Sequence, residues 1–396
     1  MTRFALFVLA AIPLAAQFQP VIPATGARPD GPYSPGLWAQ DYLYVSGPGP
    51  RDASGRMAGG FDAQARQVME NVKAVVEAAG ITMEHVVYTH VYLRDMANYY
   101  AMNRIYGEYF KKSPPARAVL GIAGLRGGAL IDVKAVAVRH LHQKQPVAIP
   151  GWDPKEPYTP GILTHDQVYV SAMLGRDLET GQVPADPAQQ VQLALDGMSR
   201  VLAAAGLDLR HMLFVNPFLT KKLPSGTMNE IYARHWKLRT APARGTIFVV
   251  SLPHGAQIEY TGVGVRDLSR REVIYPRNFH TSATASPCVM GAGWMYCSGK
   301  AGFITGVNGG IYHHDPGVQL RQSMRNLLDS LEEIDTDFRA TVETTLYLDN
   351  IADYQKAVSV YKLYFDGPAP SQTALQQIPR PTVLKVPKDA GPHWNS

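Results

Sequence analysis

The sequence predicts an α+β protein built from three tandem units, and three observations carry that expectation. The chain repeats itself: PYSPGLWAQDYLYVSG begins at Pro32, PYTPGILTHDQVYVSA at Pro157 and PCVMGAGWMYCSG at Pro287. Each of these stretches ends in strand-like alternation and is followed by an amphipathic helix and a further strand. The period is about 125 to 130 residues, the size of a domain and far longer than a solenoid repeat.

The elements of a unit follow in order. The turn-like centre of each opening stretch predicts a hairpin. In the first copy Ala65, Val68, Val72, Val75, Val76 and Ala79 then recur at helical spacing, and Gly80 suits the residue that ends a helix. The matching helices begin near Ala188 and Gly317, and each leads into an apolar strand. A second helix reads AMNRIYGEYF from Ala101, TMNEIYARHW from Thr227 and KAVSVYKLYF from Lys356. After it come SPPARAVLG at 113–121, TAPARGTIF at 240–248 and GPAPSQTAL at 367–375. Closing strands such as ALIDVKAVAVR from Ala129 and AQIEYTGVGVR from Ala256 complete the unit. Two helices on one face of a mostly antiparallel sheet are expected. The other face is also apolar and needs cover, which three sheets around a pseudo-threefold axis supply within one chain. The units are placed at residues 17–145, 146–270 and 271–396.

Composition is that of a globular chain, 46% hydrophobic and 18% charged, and its 35 glycines and 30 prolines signal many turns. Residues 1–16 read as a secretory signal peptide: Arg3, an apolar run from Phe4 to Leu14, and small residues Ala15 and Ala16 before Gln17. The run is shorter than the roughly 20 residues of a spanning helix. The mature protein is therefore expected to be exported, periplasmic or secreted, and free of the membrane after cleavage. The net charge of +5 lacks a basic run or stripe, so nucleic acid is not expected as a partner. Two cysteines, Cys288 and Cys297, flank a GAG turn; an exported compartment permits a disulfide, and two buried free thiols fit the spacing as well.

At the level of motifs, GPYSPG at 31–36, YLYVSG at 42–47, QARQVMENVKAVVEAAG at 64–80 and PPARAV at 114–119 occur in an order and at intervals that resemble the Rid family (RidA and YjgF type), whose older label is endoribonuclease L-PSP. The resemblance covers nearly all of the first unit, most of the second and the outline of the third. It implies chorismate-mutase-like units that assemble as trimers with ligand clefts between subunits, here a monomeric pseudo-trimer in one chain. It also implies hydrolysis of 2-imino or enamine acids to 2-oxo acids and ammonia, with no metal or organic cofactor.

The resemblance assigns site residues position by position. The arginine that holds the substrate carboxylate falls on Arg117 and Arg244; a guanidinium fork matches a carboxylate bidentately and stays charged. Tyr33 and Tyr158 stand at the cleft tyrosine, and Asn103 and Asn229 at the asparagine of the second helix; packing and backbone satisfaction are alternative roles for both types. A water-positioning glutamate fifteen residues after the arginine maps to Glu259 and, one methylene shorter, to Asp132. An acid within an apolar strand is costly unless paired or functional. Val119 and Thr246 stand where the family often has cysteine, and Thr246 keeps a polar group. In the third unit Cys288, Val358, Pro370 and Lys385 are expected at the tyrosine, asparagine, arginine and acid positions, which leaves a non-catalytic scaffold.

That loss has a countable consequence. If a cleft draws tyrosine and arginine from one unit, two sites are complete; if from neighbouring units, one is, using Arg117 with Tyr158 or Arg244 with Tyr33. Arg244 is expected to be the better placed, with Thr246 and Glu259 in its own unit. The expected partner is a small carboxylate-bearing ligand, and the activity an imine or enamine deaminase. The alternative is a non-catalytic module that binds small carboxylates. An endoribonuclease would call for a basic groove with interleaved aromatics or a histidine pair for acid–base cleavage, and neither is recognisable. His140 with His142, and His313 with His314, are expected at the surface, with no further ligands at metal-site spacing.

Overall fold

The computed structural model describes residues 4–11, 18–150, 152, 156–276, 282–304 and 311–379. Three mixed sheets, one per unit, each carry two helices on one face. In the first unit the sheet order is Gln19–Val21, Gly36–Ala39, Tyr42–Val45, Ile131–Val138, Val86–Leu93 and Ala116–Gly121. All neighbours are antiparallel except Val86–Leu93 and Ala116–Gly121, which run parallel. The second unit repeats this order from Gln145–Val147 through Ile258–Val265 to Met212–Leu219.

The helices are α1 (Phe61–Ala78), α2 (Tyr99–Tyr109), α3 (Pro187–Ala204), α4 (Ser225–Ala233), α5 (Pro316–Glu332) and α6 (Tyr354–Tyr361). Helix α1 buries Ala65, Val68, Met69, Val72, Val75 and Val76, the stripe predicted from spacing. Gly80 follows it at φ 78°, where a residue without Cβ is favoured. Asp186 and Asp315 cap α3 and α5 by accepting from backbone N–H groups of the first turn. Each pair of helices seals one outer core, as Met102, Ile105 and Tyr106 of α2 do with α1 against Val91, Val119 and Val133.

The inner sheet faces meet in a common core built by all three units: Leu37, Tyr44 and Val136 from the first, Ile162, Tyr169 and Val263 from the second, Val289, Trp294 and Tyr296 from the third. Trp294 stands edge-on to Tyr42 at 5.3 Å between centroids, a favourable aromatic arrangement. Cys288 and Cys297 face each other across the third unit's hairpin and form a disulfide.

In the third unit the order is Arg271–Ile274, Cys288–Gly291, Trp294–Cys297, Phe4–Ala11, Thr341–Leu348 and Ser371–Gln376. The segment Phe4–Ala11, read from sequence as part of a leader, thus fills the slot that Ile131–Val138 and Ile258–Val265 fill in the other sheets. The register is the same: Tyr92 pairs with Asp132, Phe218 with Glu259 and Tyr347 with Ala5. Lys385, expected at the acid position, lies outside the described residues, as does the cleavage point at Ala16. Among the described residues no helix is long and apolar enough to cross a membrane.

Two predictions follow from this packing. A chain cut after Ala16 leaves the slot between Trp294–Cys297 and Thr341–Leu348 without the strand seen here. Hydrogen exchange on such a chain is expected to show faster exchange in those two strands than in the full chain; unchanged protection would mean that another segment fills the slot. Replacing Leu327, fully buried in the third outer core, by alanine is expected to cost about 2–5 kcal/mol in denaturant unfolding.

Candidate active site

The units are joined at three seams by the same set of bonds, which fixes the equivalent residues more surely than motif spelling does. The backbone N–H groups of Thr159, Ser286 and Ser34 donate to the carbonyls of Pro115, Pro242 and Pro370 at 3.1, 3.2 and 3.2 Å. One residue pair further in, the N–H groups of Arg117, Arg244 and Gln372 donate to the hydroxyls of Ser171, Ser298 and Ser46 at 2.8, 2.8 and 2.9 Å. Each of those serines donates in turn to the carbonyl of Thr159, Ser286 or Ser34. Two expectations are thereby corrected. Gln372, not Pro370, stands at the arginine position of the third unit. Ala285, preceding Ser286, stands at the tyrosine position, while Cys288 begins the next strand. Motif spelling had placed the tyrosine turn of the third unit three residues late, because PCVMG shares its proline with the second proline of PYSPG rather than the first, and the arginine position two residues early.

Each seam sets the arginine strand of one unit against the tyrosine turn and acidic strand of the next. Between the first and second units lie Arg117, Asn103, Tyr158 and Glu259. Arg117 is 1% exposed, and its guanidinium stacks over Tyr158 at 4.4 Å and Tyr106 at 4.8 Å. Its Nε and Nη2 have no hydrogen-bond partner among the described residues, nor does Asn103 Oδ1. Glu259 is fully buried, and neither carboxylate oxygen has a hydrogen-bond partner there. Burial pushes its carboxyl well above the ordinary range, and the charge of Arg117 opposes that rise. Such buried polar atoms without partners are uncommon in folded proteins and call for an explanation.

The structure also brings to this cleft three residues that the motifs did not single out. Glu156, two residues before Tyr158, accepts hydrogen bonds from Tyr99 Oη and, at 3.0 Å, from His254 Nε2. Its Oε2 lies 3.8 Å from Arg117 Nη2. A signal for Glu156 was present in the repeat comparison, since EPYTPG departs from GPYSPG at that residue. His254 occupies a left-handed backbone position, φ 57°, where the first unit has Gly127 at φ 61°. The long chain distances to Tyr99 and His254 hid their part.

Between the second and third units, Arg244 bonds Asn229 Oδ1 at 2.8 Å and lies over Tyr232 at 5.2 Å. Thr246 follows on the same segment. Arg244 does not meet Glu259, contrary to the expected grouping within one unit. Side chains alternate along a strand, so Tyr260 turns toward Tyr232 and Arg244 while Glu259 turns toward Arg117. The seam offers Ala285 in place of tyrosine, and the strand register places Ala5 at the acid position.

Between the third and first units, Tyr33 and Asp132 meet Gln372 and Val358 where arginine and asparagine stand elsewhere. A different arginine enters instead: Arg126 lies over Tyr33 at 5.1 Å and Tyr354 at 5.3 Å, pairs with Asp30, and donates to the Gly47 carbonyl at 2.8 Å. Asp132 accepts from the Gly49 and Val133 amides at 3.0 and 2.9 Å. Burial raises its carboxyl, and Arg126 and these amides partly offset the rise. Asp132 is thus bonded within its own unit, unlike Glu259.

No group of histidines, cysteines and acids that would hold a metal occurs among the described residues. His140 and His142 stack on each other at 5.7 Å, and His313 and His314 are exposed.

The chain is 40% identical over 114 residues to the RutC family protein PH0854 of Pyrococcus horikoshii, covering 28% of this chain and 90% of that one. It is 39% identical over 112 residues to the RutC family protein SSO3206 of Saccharolobus solfataricus, covering 28% and 89%. Among solved structures, the YjgF gene product of E. coli is 31% identical over 31% of this chain and 99% of its own, with a TM-score of 0.30. Residues 25–139, 150–265 and 278–383 each match the family described as Endoribonuclease L-PSP, so this chain belongs to that family, with three copies of its unit in tandem.

Proposed function

We propose that the cleft between the first and second units hydrolyses 2-imino acids, or their enamine tautomers, to 2-oxo acids and ammonia. The observation that carries this reading is the convergence of a buried arginine with free donors and a buried, unbonded glutamic acid in one cleft. Arg117 would take the substrate carboxylate through Nε and Nη2, a paired, charge-assisted contact. Tyr158 and Tyr106 flank the guanidinium and limit its motion.

Burial disfavours the charged form of Glu259, and the proposed steps start from its protonated form. It would give its proton to the imine nitrogen, and the resulting carboxylate would accept one from the attacking water. As the tetrahedral adduct collapses, the same carboxyl delivers a proton to the departing nitrogen and receives the hydroxyl proton as the carbonyl forms. One imine and one water yield one 2-oxo acid and one ammonia, and Glu259 ends protonated as it began. The substrate supplies the electrophile, so the steps call on proton transfer and positioning alone.

The same unbonded donors favour a second reading, capture of small carboxylates without turnover. Calorimetry with 2-oxo acids alongside the hydrolysis assay separates the two. The family description also names an endoribonuclease, and an RNA-cleavage assay on the same preparation tests that activity directly.

Freshly generated 2-iminobutanoate is the substrate of choice. Arg117→Ala is expected to lower hydrolysis about 100-fold or more, the loss of a paired charged contact, while Arg244→Ala stays within about 2-fold. A wild-type rate equal to buffer, or equal losses in both variants, would sink this assignment. Glu259→Gln is expected to lower the rate by about 10²- to 10⁴-fold. Its pH signature is separate from activity. The folded chain holds the Glu259 proton more tightly than the unfolded chain does. That contribution is complete below the ordinary carboxylate range and is lost as pH rises through the raised folded value. Wild-type Tm should therefore fall with rising pH over this window, and Glu259→Gln should flatten the fall, with the part due to Asp132 remaining.

A further inference from the structure

The bonded carboxylate of Glu156 has no role in the steps above, yet it lies partly exposed beside Arg117 at the seam that brings together all four expected groups. We infer that this cleft reads two adjacent poles of one ligand: Arg117 takes an α-carboxylate, and Glu156 takes an N–H on the neighbouring carbon. This rests on the reading of Arg117 as the carboxylate anchor and adds the specificity that separates substrate from product.

Geometry supports the pairing. Glu156 Oε2 and Arg117 Nη2 are 3.8 Å apart, beyond hydrogen-bond reach but close enough to share one small ligand. In an imino or amino acid, a carboxylate oxygen and the nitrogen on the next carbon lie side by side. The oxygen can accept from Arg117 while the nitrogen donates to Glu156, so that the two contacts lie side by side. An ionised carboxylate has about four lone-pair sites, so Tyr99 and His254 leave Glu156 acceptor capacity. They also fix its direction, and the tilted contact of Tyr99 with His254, 5.5 Å between centroids, ties the two supports together.

Charge supports it as well. Burial alone would raise the Glu156 carboxyl, but the bonds from His254 and Tyr99 and the charge of Arg117 hold it below the ordinary range. The cleft thus presents one buried cation and one anion side by side, a match for a ligand that carries both. A 2-oxo acid offers only acceptors there, and its carbonyl oxygen would face the Glu156 carboxylate. Discrimination against the oxo acid favours release of product. The position is specific to this seam: the equivalent residues are Gly31 before Tyr33 and Ala283 before Ala285.

Calorimetry on the full chain with 2-aminobutanoate, a stable ligand bearing both poles, and 2-oxobutanoate tests the inference. The amino acid is expected to bind about 10- to 100-fold more tightly, the worth of one charge-assisted hydrogen bond. Glu156→Gln, close to isosteric, should abolish that preference, and His254→Ala, which frees Glu156, should reduce it. A wild-type preference for the oxo acid, or an unchanged ratio in Glu156→Gln with a wild-type melting curve, overturns the assignment. If both ligands bind equally and Arg117→Ala abolishes both, the anchor stands and only the role of Glu156 falls. If neither binds, the anchor and this inference fall together.

Discussion

The inner face of each sheet is apolar, and covering it is the constraint on which the rest of the molecule depends. A two-layer unit with helices on one side leaves Leu37, Tyr44 and Val136, or their counterparts, exposed on the other. Each such side chain contributes about 1.5–3 kcal/mol when buried, so a lone unit would leave a large driving force unused. Three sheets that turn these faces toward one axis satisfy it together. The ring in turn creates three seams, and each seam abuts the arginine strand of one unit on the tyrosine turn of the next.

Because each seam draws on two units, the three seams need not carry the same residues. In a trimer of identical chains every cleft carries the same residues. Here a substitution in one unit alters two different clefts in two different ways. Loss of arginine and asparagine in the third unit empties the seam that holds Tyr33 and Asp132. Loss of its tyrosine, with Ala5 in register at the acid position, empties the seam that holds Arg244. The seam that the third unit does not touch keeps Arg117, Asn103, Tyr158 and Glu259. Where the arginine was lost, Arg126 and Asp30 close the gap with a bonded network around Tyr33 and Tyr354.

Electrostatics distinguishes the clefts as sharply as composition does. Asp132 and Glu259 occupy the same register on equivalent strands, yet backbone amides and Arg126 bond or balance the first, while among the described residues the second has the opposing charge of Arg117 and no hydrogen bond. Arg244 spends a donor on Asn229, whereas Arg117 keeps two donors unmatched. Unmatched groups on both members of an opposite pair are costly in an interior. Among the described residues they meet at the seam where Glu156 also stands, 3.8 Å from Arg117, and on them the proposed function rests.

The sequence by itself determined the threefold repetition, the helix stripes such as Val68, Val72 and Val75, the sheet-and-helix layering and the family. It also named Arg117, Asn103, Tyr158 and Glu259, which the fold brings to one seam, because period and motif are local properties of a chain. It offered Arg117 with Tyr158, or Arg244 with Tyr33, as the pairings across units, but not which: that depends on the direction in which the ring closes, which no local pattern encodes. Strand alternation sent Glu259 to Arg117 although Arg244 is nearer in sequence. Backbone bonding, not spelling, identified Gln372 and Ala285 as the third unit's counterparts. Tyr99, Glu156 and His254 became neighbours only through packing, since residues from α2, a turn and a distant loop meet where two units abut. The strand Phe4–Ala11 likewise carries the apolar run of a leader, and its place in the third sheet is set by an open slot between strands nearly three hundred residues away.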